Sequence, residues 1–118
     1  MTGLDSIRLL LVDDHPEVRD AVRRRLEAVP RFEVVGEAAD VPEALARLEA
    51  TCPNLAVIDV GLGKVSGLLL ARELRRRCPE IRVLIWTAHD NPNYIAEARA
   101  AGVRGYVLKS GPTGELVR

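Results

Sequence analysis

Five side chains carry the chemistry this sequence suggests: Asp13, Asp14, Asp59, Thr87 and Lys109. Each lies at the C-terminal end of a short apolar run, or directly after one. Three carboxylates gathered in one place repel one another, and burial raises their pKa values, so such a cluster calls for protonation or for a bound cation. A hard divalent cation with oxygen ligands suits it, and Mg²⁺ takes one or two carboxylates together with waters and phosphate oxygens. A carboxylate can also act as a nucleophile and take up a phosphoryl group as an aspartyl-phosphate. That step needs positive charge on the phosphoryl oxygens. Lys109 would supply it, and Thr87 would donate a hydrogen bond. Asp59 is the best candidate nucleophile: it stands alone, on what reads as a central strand, ahead of a glycine-containing loop that leaves backbone groups open to a ligand. Taken singly, each residue has an ordinary reading as a turn former, helix cap, strand residue or surface charge. The force of the argument lies in their coming together.

The elements that must bring them together are legible as an alternation of apolar runs with helical patterns. Ile7–Val12 is a nearly continuous apolar run, as expected of a strand covered on both faces. Val18, Ala21, Val22, Leu26 and Val29 then recur at helical spacing, up to Pro30. Phe32–Ala38 reads as a second strand. Asp40-Val41-Pro42-Glu43 is a helix-start signature ahead of a helix from Glu43 to Ala50, with Ala44, Leu45 and Leu48 inward. Leu55–Val60 is a third strand, residues 61–67 a loop, and Leu68–Arg77 a helix. Ile81–Thr87 is a fourth strand. Asn91-Pro92 opens a helix to Ala101, with Gly102 as its left-handed cap. Val103–Lys109 is a fifth strand. The pattern predicts an α/β domain: a doubly wound, five-stranded parallel sheet with helices on both faces. In such sheets ligands bind beyond the C-terminal strand ends, where all five side chains fall. Thr113–Arg118 is under two turns, too short for the helix that should cover one face, and reads as a truncated last helix of a longer protein.

Composition narrows the function. The 118 residues make one domain, 47% hydrophobic and 29% charged, which is neither a disordered nor a fibrous composition. The 17 basic and 17 acidic residues leave a net charge of zero, which argues against a strongly basic nucleic-acid binder. All but two of the basic residues are arginine, the exceptions being Lys64 and Lys109. No apolar run is long enough for a membrane span, and the start lacks a signal-peptide pattern. Cys52 and Cys78 form no CxxC motif and read as free thiols of a cytoplasmic protein.

Leu11-Val12-Asp13-Asp14-His15, Val57-Ile58-Asp59, Trp86-Thr87-Ala88 and Tyr106-Val107-Leu108-Lys109 resemble the receiver domain of bacterial two-component response regulators. Asp-Asp-His-Pro, Val-Val-Gly-Glu-Ala, Thr-Ala-His-Asp and Ala-Gly-Val-Arg-Gly-Tyr-Val-Leu-Lys are similar to the NarL/FixJ subfamily, which carries a LuxR-type helix-turn-helix output. The resemblance covers residues 7–116. It implies a flavodoxin-like (CheY-like) fold with strand order 2-1-3-4-5. It implies Asp59 as phosphoacceptor, with Asp13, Asp14, Asp59 and the carbonyl of Gly61 holding Mg²⁺. Thr87 and Lys109 would contact the phosphoryl group, Tyr106 would be the aromatic that follows Thr87, and Gly61 and His89 would tune phosphate lifetime. The donor would be a sensor histidine kinase, with small acyl phosphates as substitutes.

Two positions depart from the family pattern: Gly63 stands where a proline is usual, and Ser66 where Asp or Asn is usual. The loop after Asp59 is therefore expected to have more backbone freedom than in its relatives. The resemblance implies a switch rather than an enzyme, a stoichiometric phosphoacceptor that assists only its own phosphotransfer and dephosphorylation. The output would be a C-terminal DNA-binding domain outside this chain, with a homodimer as a further partner form. The competing reading is a pseudo-receiver, a protein-interaction module of this fold that is never phosphorylated. A flavodoxin-like cofactor binder would need a hydroxyl-rich phosphate loop where Asp13-Asp14 stands.

Overall fold

A computed structural model of the chain describes residues 6–59, 64–87, 92–108 and 116–117, with the backbone alone at 59, 64–66, 86–87, 92–95, 105–108 and 116–117. The elements run β1 (Ile7–Val12), α1 (Pro16–Glu27), β2 (Phe32–Ala38), α2 (Val41–Thr51), β3 (Leu55–Asp59), α3 (Lys64–Arg77), β4 (Arg82–Thr87), α4 (Pro92–Ala100), β5 (Gly105–Leu108) and β6 (Leu116–Val117). The sheet order is β2-β1-β3-β4-β5-β6. The first five strands pair in parallel, so the sheet has the doubly wound, flavodoxin-like order the sequence implied.

Period-two alternation along the strands splits the core in two. Leu10 and Val12 of β1, Ala56 and Ile58 of β3 and Val83 and Ile85 of β4 face one way, onto Ala44 and Leu48 of α2, Leu70 and Leu74 of α3 and Ala98 of α4. Leu9, Leu11 and Val57 face the other way, onto Val22 and Leu26 of α1. Both faces of β1 are thus covered, which explains why its sequence does not alternate. On the α1 side, Phe32, Val34, Leu55 and Leu84 stay half-buried at the margin of the smaller cluster.

Local chemistry sets the element ends. Asp40 caps α2 by accepting from the Glu43 N–H at 2.9 Å, and Glu43 Oε1 accepts from the Ala39 N–H at 2.7 Å. The Asp cap expected from the sequence is thus present, and the Glu43 side chain reaches back one residue beyond it, to the N–H that precedes the cap. Gly102, at φ +95°, ends α4 in the left-handed region, and Arg75 Nε lies 3.0 Å from where a Cβ would stand.

Three sequence expectations need correction. Residues 64–67 were expected in a loop, yet α3 starts at Lys64. Gly67 falls in the first turn of α3, and a helical glycine costs no more than about 1 kcal/mol, which the packing of Leu68, Leu70, Ala71 and Leu74 offsets. The helical spacing of Val18, Ala21, Val22, Leu26 and Val29 runs past the helix end at Glu27, and Val18, Ala21 and Val29 are exposed: the contact face of α1 is taken by Val22 and Leu26, and Val29 lies beyond the helix. The segment expected as a truncated helix instead supplies β6, which pairs antiparallel to β5 through Tyr106–Val117 and Val107–Leu116. The open edge of β5 offers this segment ready ladder partners.

Candidate functional site

The C-terminal ends of β1, β3 and β4 lie side by side. Val12 pairs with Ile58, so the next residues, Asp13 and Asp59, stand at one level on adjacent strands. Asp59 in turn pairs with Trp86, and Thr87 follows as the last residue of β4. Thr87 pairs with Leu108 of β5, and Tyr106 pairs with Ile85, two residues further back. The backbone thus gathers Asp13, Asp59 and Thr87 at one sheet edge. Gly61, His89 and Lys109 lie outside the described residues.

Asp13 is fixed from several sides. It is 2% exposed, a buried carboxylate among described residues whose other fully buried side chains are apolar. Its N–H donates to the Ala38 carbonyl of β2 at 3.0 Å. Its Oδ1 accepts from the His15 N–H at 2.8 Å. Its own carbonyl accepts from Arg19 Nη1 at 2.6 Å. Asp14 is more open, and its Oδ1 lies 2.8 Å from His15 Nδ1. Pro16 starts α1 directly after this turn, with its fixed φ suited to a first helical position. The positive end of the α1 dipole therefore faces the acidic pair and offsets part of the repulsion between the two carboxylates.

Asp13, Asp14 and His15 each offer a ligand atom within 4.8 Å of the others. The two carboxylates suit a hard divalent cation. His15 joins this group in the structure but was not among the candidate ligands read from the sequence. Its adjacency to Asp13-Asp14 was the available signal. Arg19 and Glu37 were likewise not singled out, and no local pattern marks them, because their roles depend on the meeting of α1 with β2.

Residues 9–118 match the family model described as the response regulator receiver domain. The chain belongs to this family. The receiver is 42% identical over 112 residues to the DNA-binding transcriptional activator DevR/DosR of Mycobacterium tuberculosis, covering 95% of this chain and 52% of that protein. Among solved structures, a LuxR-family two-component response regulator from Aurantimonas superposes with a TM-score of 0.85 at 39% identity, over 92% of this chain and 77% of that one. The signal receiver domain of the response regulator NarL from M. tuberculosis superposes with a TM-score of 0.83 at 33% identity, over 92% of this chain and 88% of that one. The receiver spans about half the length of the curated relatives it matches. Among the described residues, no helix is long and apolar enough to cross a membrane, and Cys52 and Cys78 are free thiols.

Proposed function

We propose that this receiver domain takes up a phosphoryl group on Asp59 from a phosphohistidine of a sensor histidine kinase. The observation that supports this best is the strand-end register that brings Asp59 level with buried Asp13 and one residue from Thr87. The Asp59 carboxylate attacks phosphorus, a P–O bond forms, the P–N bond breaks, and the departing imidazole takes up a proton. Asp13, Asp14 and Asp59, with the Gly61 carbonyl, are the groups that would hold Mg²⁺. When bound, the ion supplies positive charge to the phosphoryl oxygens. Thr87 donates to a phosphoryl oxygen, and Lys109 pairs with the phosphate. The chain acts once per phosphoryl group, as a stoichiometric acceptor rather than an enzyme. Gly61 and His89 set how long the phosphate lasts.

The phosphoryl group adds about −1.5 to −2 charges at one strand end. Thr87 and Lys109 respond, Tyr106 turns inward, and the α4–β5 face shifts between two packings. The changed surface, with a homodimer as one form, would control transcription through a C-terminal helix-turn-helix domain in the cytoplasm. The DNA-binding activator among the relatives supports that assignment for the whole protein.

Intact mass after incubation with acetyl phosphate, with and without Mg²⁺, tests this on wild type and Asp59→Asn. One added phosphoryl group that needs both Mg²⁺ and Asp59 is expected. No gain on folded protein would favour the pseudo-receiver, with the Gly63 and Ser66 departures as its cause.

A further inference from the structure

Asp13 directly follows the last residue of β1. Arg19, one turn into α1, reaches its carbonyl. Its Nη1 donates to that carbonyl at 2.6 Å, while its Nε donates to Glu37 Oε1 of β2 at 3.1 Å. Glu37 is held in turn by Arg23 Nε on its other oxygen at 3.2 Å. Arg23 is tied to its own helix through Asp20 and Glu27. The Arg19 side chain is 19% exposed, so its guanidinium works in a partly desolvated setting where such bonds are stronger than at the surface. A planar fork that reaches a carbonyl and a carboxylate at once is a task for arginine rather than lysine.

We propose that Arg19 is a positioning residue for the acidic site, pinning the end of β1 to α1 and β2 so that Asp13 and Asp14 are presented in a geometry ready for a divalent cation. The proposal rests on the phosphoacceptor reading for its purpose, but the brace itself does not depend on it.

Charge and position predict opposite signs here, which makes the idea testable. By Coulomb's law alone, removing a positive charge beside two carboxylates should tighten cation binding. Loss of a positioning group should loosen it, by about tenfold, as for other groups that orient metal-binding side chains. Arg23 serves as the control: it shares Glu37 and is otherwise held by Asp20 and Glu27 of its own helix.

The experiment is Mg²⁺ titration followed by NMR on wild type, Arg19→Gln and Arg23→Gln, with amide hydrogen exchange on the cation-free proteins. Weakening of Mg²⁺ binding by about tenfold in Arg19→Gln, no change in Arg23→Gln, and faster exchange at the Asp13 and His15 amides in Arg19→Gln alone are expected. Equal or tighter binding in Arg19→Gln would overturn the proposal, as would equal loss in Arg23→Gln or unchanged exchange at those amides. Should Arg19→Gln fail to fold, Glu37→Gln removes one anchor of the same guanidinium, and unaltered Mg²⁺ binding there would overturn it too. The exchange measurement needs no cation. A wild-type protein that binds no Mg²⁺ would therefore count against the phosphoacceptor reading alone, and the exchange rates would still decide for or against the brace.

Discussion

Val12 and Ile58 are ladder partners, and this one pairing puts Asp13 and Asp59 level with each other although they are far apart in sequence. A slip of one residue between β1 and β3 would turn every side chain of one strand to the other face. The two-sided core forbids that, because Leu9 and Leu11 are matched to α1 while Leu10 and Val12 are matched to α2 and α3. Packing far from the site thus fixes the register on which the site depends.

Thr87 is proposed to couple the phosphate to the α4–β5 face. Thr87→Ala should still take up a phosphoryl group, as read by intact mass, but should lose the phosphate-dependent change in α4 and β5 chemical shifts and in sedimentation. Phosphate-dependent dimerisation equal to wild type in this variant would sink the coupling.

The three consecutive leucines of α3 should differ sharply. Leu70 is fully buried, whereas Leu69 is 54% exposed. Leu70→Ala should cost about 2–5 kcal/mol in chemical denaturation, and Leu69→Ala no more than about 0.5 kcal/mol. Similar losses at the two positions would contradict the assigned face of the helix.

Gly102→Ala meets both a positive φ and a crowded neighbour. Arg75 Nη1 donates to the Pro79 and Ile81 carbonyls at 2.7 Å each, so its stem cannot easily swing away from the new methyl. The substitution should destabilise by more than about 1 kcal/mol. An unchanged or raised denaturation midpoint would show that the turn can relax.

Glu73 links stability to acid. The hydrogen bond from Arg76 leads in lowering its pKa from 4.5 to about 2, with the charge of Arg76 and the bond and charge of Arg77 adding to it against desolvation. A carboxyl depressed in the folded state stabilises above its unfolded pKa and loses that contribution as pH falls through the folded value. The stability gap between wild type and Glu73→Gln should therefore be constant above about pH 5 and shrink between 4.5 and 2. A gap that widens on acidification would refute the assignment.

Sequence and tertiary structure divide the work along physical lines. The strands, the Asp40–Glu43 capping pair, the Gly102 cap and the parallel doubly wound class were all legible, because periodicity, caps and turn chemistry are local properties. The sequence marked Asp13, Asp14, Asp59, Thr87 and Lys109 as candidate site residues and the family resemblance implied their roles; Asp13, Asp59 and Thr87 fall at adjacent strand ends, while Lys109 lies outside the described residues. Tertiary structure decided which of the apolar positions in α1 touch the sheet, since a helical stripe fits more residues than one contact face can bury. It decided that Leu116–Val117 pairs as a strand, because that choice depends on an edge supplied by β5. It also decided that Arg19, Glu37 and Arg23 converge behind Asp13. No spacing rule links a helix residue to a strand residue 18 positions away. Only the packing of α1 across β1 and β2 brings that guanidinium to the carbonyl at the end of the strand.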